Sequence, residues 1–233
     1  MKLNNLQKRI LSSFVILPPA LYIVYYGSWL YVLWVIIIGL LICYEWQTII
    51  TNNAKKILGT NLFIAKFEWR ILGIIYSCIF IWSMLVIRSH NFGYILTMFL
   101  ITVVCFTDIG GYIFGKSIGG PKIAPNISPN KTWSGLIGGT SLATIGGYFF
   151  YLLCGDFIFP YFISSPIFAI LSQIGDLIES AFKRKFGQKD SGSIIPGHGG
   201  IMDRMDGFVI SAPCFVFYID IVNLLIKNTV FFL

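Results

Sequence analysis

Long apolar stretches with few or no charged residues alternate along this chain with short clusters of basic and small polar residues. Seven of the stretches are long enough to cross a bilayer as helices: 10–26, 29–50, 71–87, 92–115, 133–153, 157–182 and 207–226. A helical span needs about 20 predominantly apolar residues. Barrel strands would alternate over about ten residues, whereas these runs are apolar all round. The expected fold is therefore all-α, a polytopic integral membrane protein of about seven transmembrane helices. The first run is the least regular, because Pro18 and Pro19 interrupt it and only Gly27 and Ser28 part it from the second. It reads as half of a helical hairpin or as a re-entrant segment. Ala20 lies inside the run and no small-residue cleavage motif follows, so the segment is expected to stay as an anchor.

Charge then orients the spans. Of the 233 residues 56% are hydrophobic and 12% charged, with a net charge of +7. With the amino terminus inside, Lys2, Lys8 and Arg9, then Lys55, Lys56, Lys66 and Arg70, then Lys116, Lys122 and Lys131, and finally Lys183, Arg184, Lys185, Lys189 and Arg204 all fall on the cytoplasmic side. Arg88 and Lys227 alone fall outside, the asymmetry that sets membrane topology. The expected location is integral to a membrane, the plasma (inner) membrane if the source is bacterial, with the active site on the cytoplasmic side and basic loops facing anionic headgroups and nucleotides. The cysteines at 43, 78, 105, 154 and 214 lie in or beside apolar runs and read as small hydrophobes. Nothing resembles a nucleic-acid module. The chain is expected to divide into amino-terminal helices over 1–100 and a catalytic membrane region over 101–233, with its polar loop at 180–206.

Three groups of residues carry chemistry. In Pro196-Gly-His-Gly-Gly-Ile-Met-Asp-Arg-Met-Asp206, glycines surround a histidine just before a helix start. Successive amides there would form an anion nest at a helix amino terminus. Asp203 and Asp206 would project from one helix face, suited to divalent ions with oxygen ligands; the structural alternative is a helix cap. In the second group, Asp176, Glu179, Ser180 and Lys183 share a helical stripe, and the structural alternative is a Glu179–Lys183 ion pair. The third group is Asp108, a candidate ligand or lysine partner near a span end. It is followed by Lys116 and a proline-stiffened loop holding Lys122, Ser128, Lys131 and Thr132, which reads as a phosphate contact surface. All three groups lie on one membrane side in the expected topology. Carboxylates, lysines and glycine-rich amides beside a bilayer specify phosphoryl or nucleotidyl transfer to a lipid.

At these residues the sequence resembles the phosphatidate cytidylyltransferase family. The family signature is met by Ser180, Lys183, Arg184, Lys189, Asp190, His198, Gly199, Gly200, Asp203, Arg204 and Asp206, and the likeness extends upstream through Gly175-Asp-Leu-Ile-Glu-Ser180 and the Ser128-Pro-Asn-Lys-Thr-Trp133 run. It covers about residues 100 to 225, the first hundred residues matching only in being hydrophobic. Ser134 stands where members often carry a glutamate, and the chain is short for the family. The resemblance implies that phosphatidate and CTP give CDP-diacylglycerol and pyrophosphate with magnesium, alone or with a second cation. Asp176, Asp203, Asp206 and Asp108 would be the metal candidates. Lys183, Arg184, Lys189 and Arg204 would bind phosphates, and His198 would orient a phosphate oxygen or protonate the leaving group. Ser128, Lys131, Thr132, Ser180, Gly199 and Gly200 would contact substrate. The rival readings are a CTP-dependent lipid or polyprenol kinase, a related lipid cytidylyltransferase, and a cation transporter lined by the intramembrane aspartates. Small-residue patches at Gly138, Gly139, Gly146 and Gly147 permit close helix packing within the chain or in a homodimer.

Overall fold

The computed structural model describes residues 15, 18–57, 62–194 and 199–230. Residues 18–26 are helical (α1), and a left-handed Gly27 (φ 66°) separates them from the next helix. There follow α2 (Ser28–Ile57), α3 (Leu62–Ser89), α4 (Gly93–Ser117), a hairpin of β1 (Lys122–Ala124) and β2 (Ser128–Thr132), α5 (Trp133–Cys154), a 3-10 turn (Asp156–Ile158), α6 (Phe159–Lys185) and α7 (Met202–Val230). Six helices among the described residues are long and apolar enough to cross a membrane. The chain is a multi-pass membrane protein. The start of the expected first span, over 10–14 and 16–17, lies outside the described residues.

The fold comprises two compact units that do not follow chain order. One combines the residues up to Ile81 with Ile178–Asp206; the other combines Trp82–Leu177 with the residues from Gly207 onward.

In the first unit, the Trp46 ring of α2 stacks on Phe182 near the end of α6, with ring centroids 3.6 Å apart and planes 10° apart. The Trp46 indole N–H donates to the Trp69 carbonyl at 2.8 Å, so the apolar body and the polar edge of the ring are both satisfied. Phe182 and Phe186 pack against Trp69, and the Lys185 ammonium lies 4.5 Å from the Trp69 ring centroid. A Cβ on Gly73 would run into the Trp46 ring, so glycine is what lets α3 receive it.

In the second unit α4 and α5 meet backbone to backbone. A Cβ on Gly110 would lie 2.8 Å from both the Gly138 carbonyl oxygen and Gly139 Cα; one on Gly139 would lie 2.7 Å from the Thr107 carbonyl oxygen. Small residues permit this approach in a membrane, where packing and not water exclusion holds helices together. The glycine patch of α5 is thus used within the chain. The hairpin, a local exception to the all-α expectation, pairs Lys122 with Thr132 and Ala124 with Ser128. It passes directly into α5, whose first turn is capped by the Thr132 hydroxyl accepting from Gly135 N at 3.1 Å. The Ser134 hydroxyl donates to the Gly119 carbonyl, so the position that departs from the family pattern ties the hairpin's entry to its exit. Phe99, Tyr161, Phe168 and Phe215 form the aromatic core of this unit. Outward positions such as Ile113, Ile137 and Ile145 stay exposed, as lipid-facing residues should.

Gly110 and Gly111 are neighbours with opposite surroundings, since a Cβ on Gly111 would find its nearest atom at 3.7 Å. Gly110→Ala is expected to destabilise the detergent-solubilised protein by about 1–3 kcal/mol through overpacking. Gly111→Ala is expected to leave the melting temperature unchanged or slightly raised. Thermal unfolding of the two variants side by side checks the α4–α5 contact.

Candidate active site

Each unit gathers part of the predicted residue set. In the second unit a cavity of about 670 Å³ is bounded by the facing sides of α4 and α5, by the hairpin and by α6. Asp108, Lys116, Lys122, Ser128, Lys131, Thr132 and Asp176 all line it, together with Gln173. The loop expected to contact phosphate therefore shares one space with Asp108 and Asp176. Lys131 Nζ lies 2.6 Å from Asp176 Oδ2 and donates to the Gln173 carbonyl at 3.2 Å. The Gln173 amide in turn donates to the Leu136 carbonyl at 3.3 Å. This series of contacts pins β2 to α6 and aims a fixed ammonium along the cavity wall. Lys116 and Lys122 are exposed and can follow a ligand. Thr132 is committed to capping α5 and is 3% exposed, which is a structural use the sequence did not distinguish from a substrate contact.

The first unit holds the signature residues. Lys183 is 6% exposed and Glu179 fully buried. The Lys183 ammonium is shared between Glu179 Oε1 at 2.9 Å and Asp203 Oδ1 at 2.5 Å. The expected intrahelical pair thus exists, but it is one side of a three-residue group that joins α6 to the first turn of α7. Asp203 also accepts from Gly200 N at 2.9 Å and from Ser191 N at 3.0 Å. It fills the capping role, too, by reaching back to the amide just before the helix. Asp206 lies one turn on, half-buried; Arg204, Lys189 and Arg184 are exposed, and Arg184 donates to the Gln188 carbonyl at 3.0 Å. Ser180 is buried on α6. His198 lies outside the described residues.

Sequence reasoning missed Glu45. It is 2% exposed in the middle of α2 and accepts three hydrogen bonds: from the Ser191 hydroxyl at 2.8 Å, Ile201 N at 3.0 Å and Met202 N at 2.9 Å. The signal was available, since Glu45 is the sole charged residue in the apolar run 29–50 and an ionisable side chain in such a run marks a function or a buried partner. The expected anion nest changes accordingly. The amides of Gly200, Ile201 and Met202 already serve Asp203 and Glu45. Gly199 keeps the left-handed conformation (φ 87°) that glycine alone adopts without strain.

Magnesium fits the donor chemistry. Asp108, Asp176, Asp203 and Asp206 offer hard oxygen ligands, and Glu179 Oε2 is buried without a hydrogen-bond partner among the described residues. Those residues include no cluster of three or more histidine, cysteine, aspartate or glutamate side chains arranged around a metal. Magnesium is commonly held by one or two carboxylates with waters and substrate phosphates, so such a cage is not required.

A sequence model described as the Cytidylyltransferase family matches residues 59–222. A phosphatidate cytidylyltransferase of Brucella suis is 36% identical over 249 aligned positions, covering 90% of this chain and 92% of that protein. One from Rickettsia bellii is 33% identical and covers 92% of this chain and 90% of its own length. One from Staphylococcus aureus reaches 50% identity over 129 positions, covering 54% and 48%. The likeness therefore extends well into the first hundred residues, beyond the stretch where motifs alone revealed it.

Removing the ammonium alone would strand the fully buried Glu179 and leave Asp203 with backbone amides only, and breaking a buried pair from one side typically destabilises by about 3–5 kcal/mol. Lys183→Met is expected to show a loss of that size in denaturant or thermal unfolding. Glu179→Gln in the same background is expected to restore part of it, because the stranded charge is then gone.

Proposed function

The chain belongs to the cytidylyltransferase family, and we propose that it transfers CMP from CTP to phosphatidate at the cytoplasmic face of the membrane, producing CDP-diacylglycerol and pyrophosphate. The observation that carries this reading is the cavity of the second unit, where Lys116, Lys122 and Lys131 face the same space as Asp108, Asp176 and the hydroxyl-bearing Ser128 and Thr132. Lysines supply point charges for phosphate, hydroxyls add directed hydrogen bonds, and carboxylates tolerate the companion cation of a nucleotide. A transport path lined by aspartates would not call for three lysines.

In the reaction an oxygen of the phosphatidate monoester forms a bond to the α-phosphorus of CTP, while the bond from that phosphorus to the oxygen bridging toward the β-phosphate breaks. Pyrophosphate leaves with the electron pair. The attacking phosphate is already anionic, so no side chain has to remove a proton. Lys131, held by Asp176 and the Gln173 carbonyl, offers a preorganised positive charge, and such fixed groups stabilise charge at the reacting centre without reorganising. Lys183 is likewise fixed, by Glu179 and Asp203. The exposed Arg184, Lys189 and Arg204 bring further positive charge to the signature segment. Magnesium, when bound, supplies neutralisation of phosphate charge; the residues proposed to hold it are Asp108 and Asp176 in the second unit and Asp203 and Asp206 in the first, each pair taken by itself.

Purified protein given labelled CTP, phosphatidate and magnesium is expected to form labelled CDP-lipid with an equal amount of pyrophosphate. CDP and a phosphorylated lipid in their place would establish a kinase. Asp203→Asn is expected to lower turnover on the order of 10²- to 10³-fold. Wild-type turnover in a folded Asp203→Asn protein would remove that carboxylate from the site.

A further inference from the structure

A carboxylate in the middle of a membrane helix needs a reason, and none comes from its own helix: the three donors on Glu45 all belong to residues 191–202. We infer that Glu45 is a positioning residue for the transfer reaction, acting through Ser191 and the start of α7 to fix Asp203; this rests on the function proposed above. The geometry is a double clasp. Ser191 gives its hydroxyl to Glu45 and its backbone amide to Asp203. At the other end of the loop, Gly200 gives its amide to Asp203 while Ile201 and Met202 give theirs to Glu45. Two carboxylates therefore grip the same two strands of loop, one from α2 and one from α7. Asp203 then carries the order onward to the Lys183 ammonium.

The first amides of a helix have no partner within it. Here α7 receives a capping carboxylate from a helix more than 150 residues earlier, so its first turn is registered to α2 as well as to its own loop. The glycines of the segment follow from the same contact. A Cβ on Gly192 would lie 2.8 Å from Glu45 Oε1, and one on Gly200 would overlap the Ser191 hydroxyl and the Glu45 carboxylate. These glycines make room for the incoming acid.

Both Glu45 oxygens accept, so Glu45→Gln tests the clasp with almost no change in shape: its amide nitrogen would face a donor on either side. The expected result is a fall in kcat of about 10- to 100-fold with the KM for CTP changed less than about threefold, the pattern of a group acting on the transition state and not on uniform binding. Amide hydrogen exchange is expected to quicken at Ile201 and Met202 and to stay slow further along α7. Glu45→Asp keeps two acceptor oxygens and is expected to recover part of kcat. Unchanged kcat and exchange in Glu45→Gln would overturn the inference. So would a lower melting temperature with unchanged kcat per folded molecule, which would make Glu45 a structural cap only. A wild type that forms no CDP-lipid, while exchange at Ile201 and Met202 still depends on Glu45, would overturn the transfer reading and leave the clasp standing.

Discussion

A carboxylate inside a membrane protein has to be surrounded by donors, and this requirement organises the polar half of the structure. An ionised group without partners is far too unfavourable at such a depth. Glu45 therefore gathers two backbone amides and a hydroxyl, Asp203 gathers amides and an ammonium, and Asp176 takes Lys131. Apart from the local cap from Gly200 to Asp203, these contacts join segments separated by 12 to 157 residues. The described residues between α6 and α7 dock through Phe186 at one end, and Ser191, Gly200 and Ile201 are held by acids that would otherwise be stranded. Buried ion pairs seldom add much net stability compared with apolar packing. Their consequence here is a defined geometry for charged groups, which apolar contacts do not provide.

The apolar half obeys a complementary constraint. Lipid tails are as apolar as leucine, so helices gain little from hiding large aliphatic residues from them and associate instead through close backbone approach. Gly110, Gly135 and Gly139 allow α4 and α5 to touch through their main chains. Closely packed helices leave their polar ends free to border a cavity, and Gly111 and Gly115, further along α4, lie on its wall beside Thr107 and Asp108. The hairpin completes that wall because Thr132 caps α5 and Lys131 is pinned to Asp176.

How much of this was legible in the sequence depended on range. Hydropathy over windows of about 20 residues revealed the spans, and i,i+4 spacing revealed the Glu179–Lys183 pair. The motif brought Asp203 and Lys183 into the same argument without showing that they touch. The hairpin at 122–132 was read only as a stiffened loop, because strands of three and five residues leave too short a period to detect. The α4 glycines paired with α5 were invisible for a different reason: each lies in an unremarkable apolar run, and only the facing helix gives it meaning. Glu45 was the costliest omission. Attention to clustered charge favours loops, whereas the informative acid was alone among apolar residues and answered a loop almost 150 positions away.

Those contacts also divide the cations into two kinds. Lys183 and Lys131 are immobilised by carboxylates, and the rotamer entropy of a lysine, up to about 1.5–2 kcal/mol, is already lost before a ligand arrives. Lys116, Lys122 and Lys189 are exposed and lose that freedom only on binding. In the transfer reaction proposed above, this mixture would serve a triphosphate that must both arrive and, as pyrophosphate, depart. Within its own unit, each fixed ammonium would offer a bound phosphate an already oriented charge, and displacement of even an ångström is damaging at a reacting centre. Flexible ones would draw the polyanion in without holding the product too firmly. The acids buried among the helices therefore decide that Lys131 and Lys183 are held still while the exposed lysines keep their freedom.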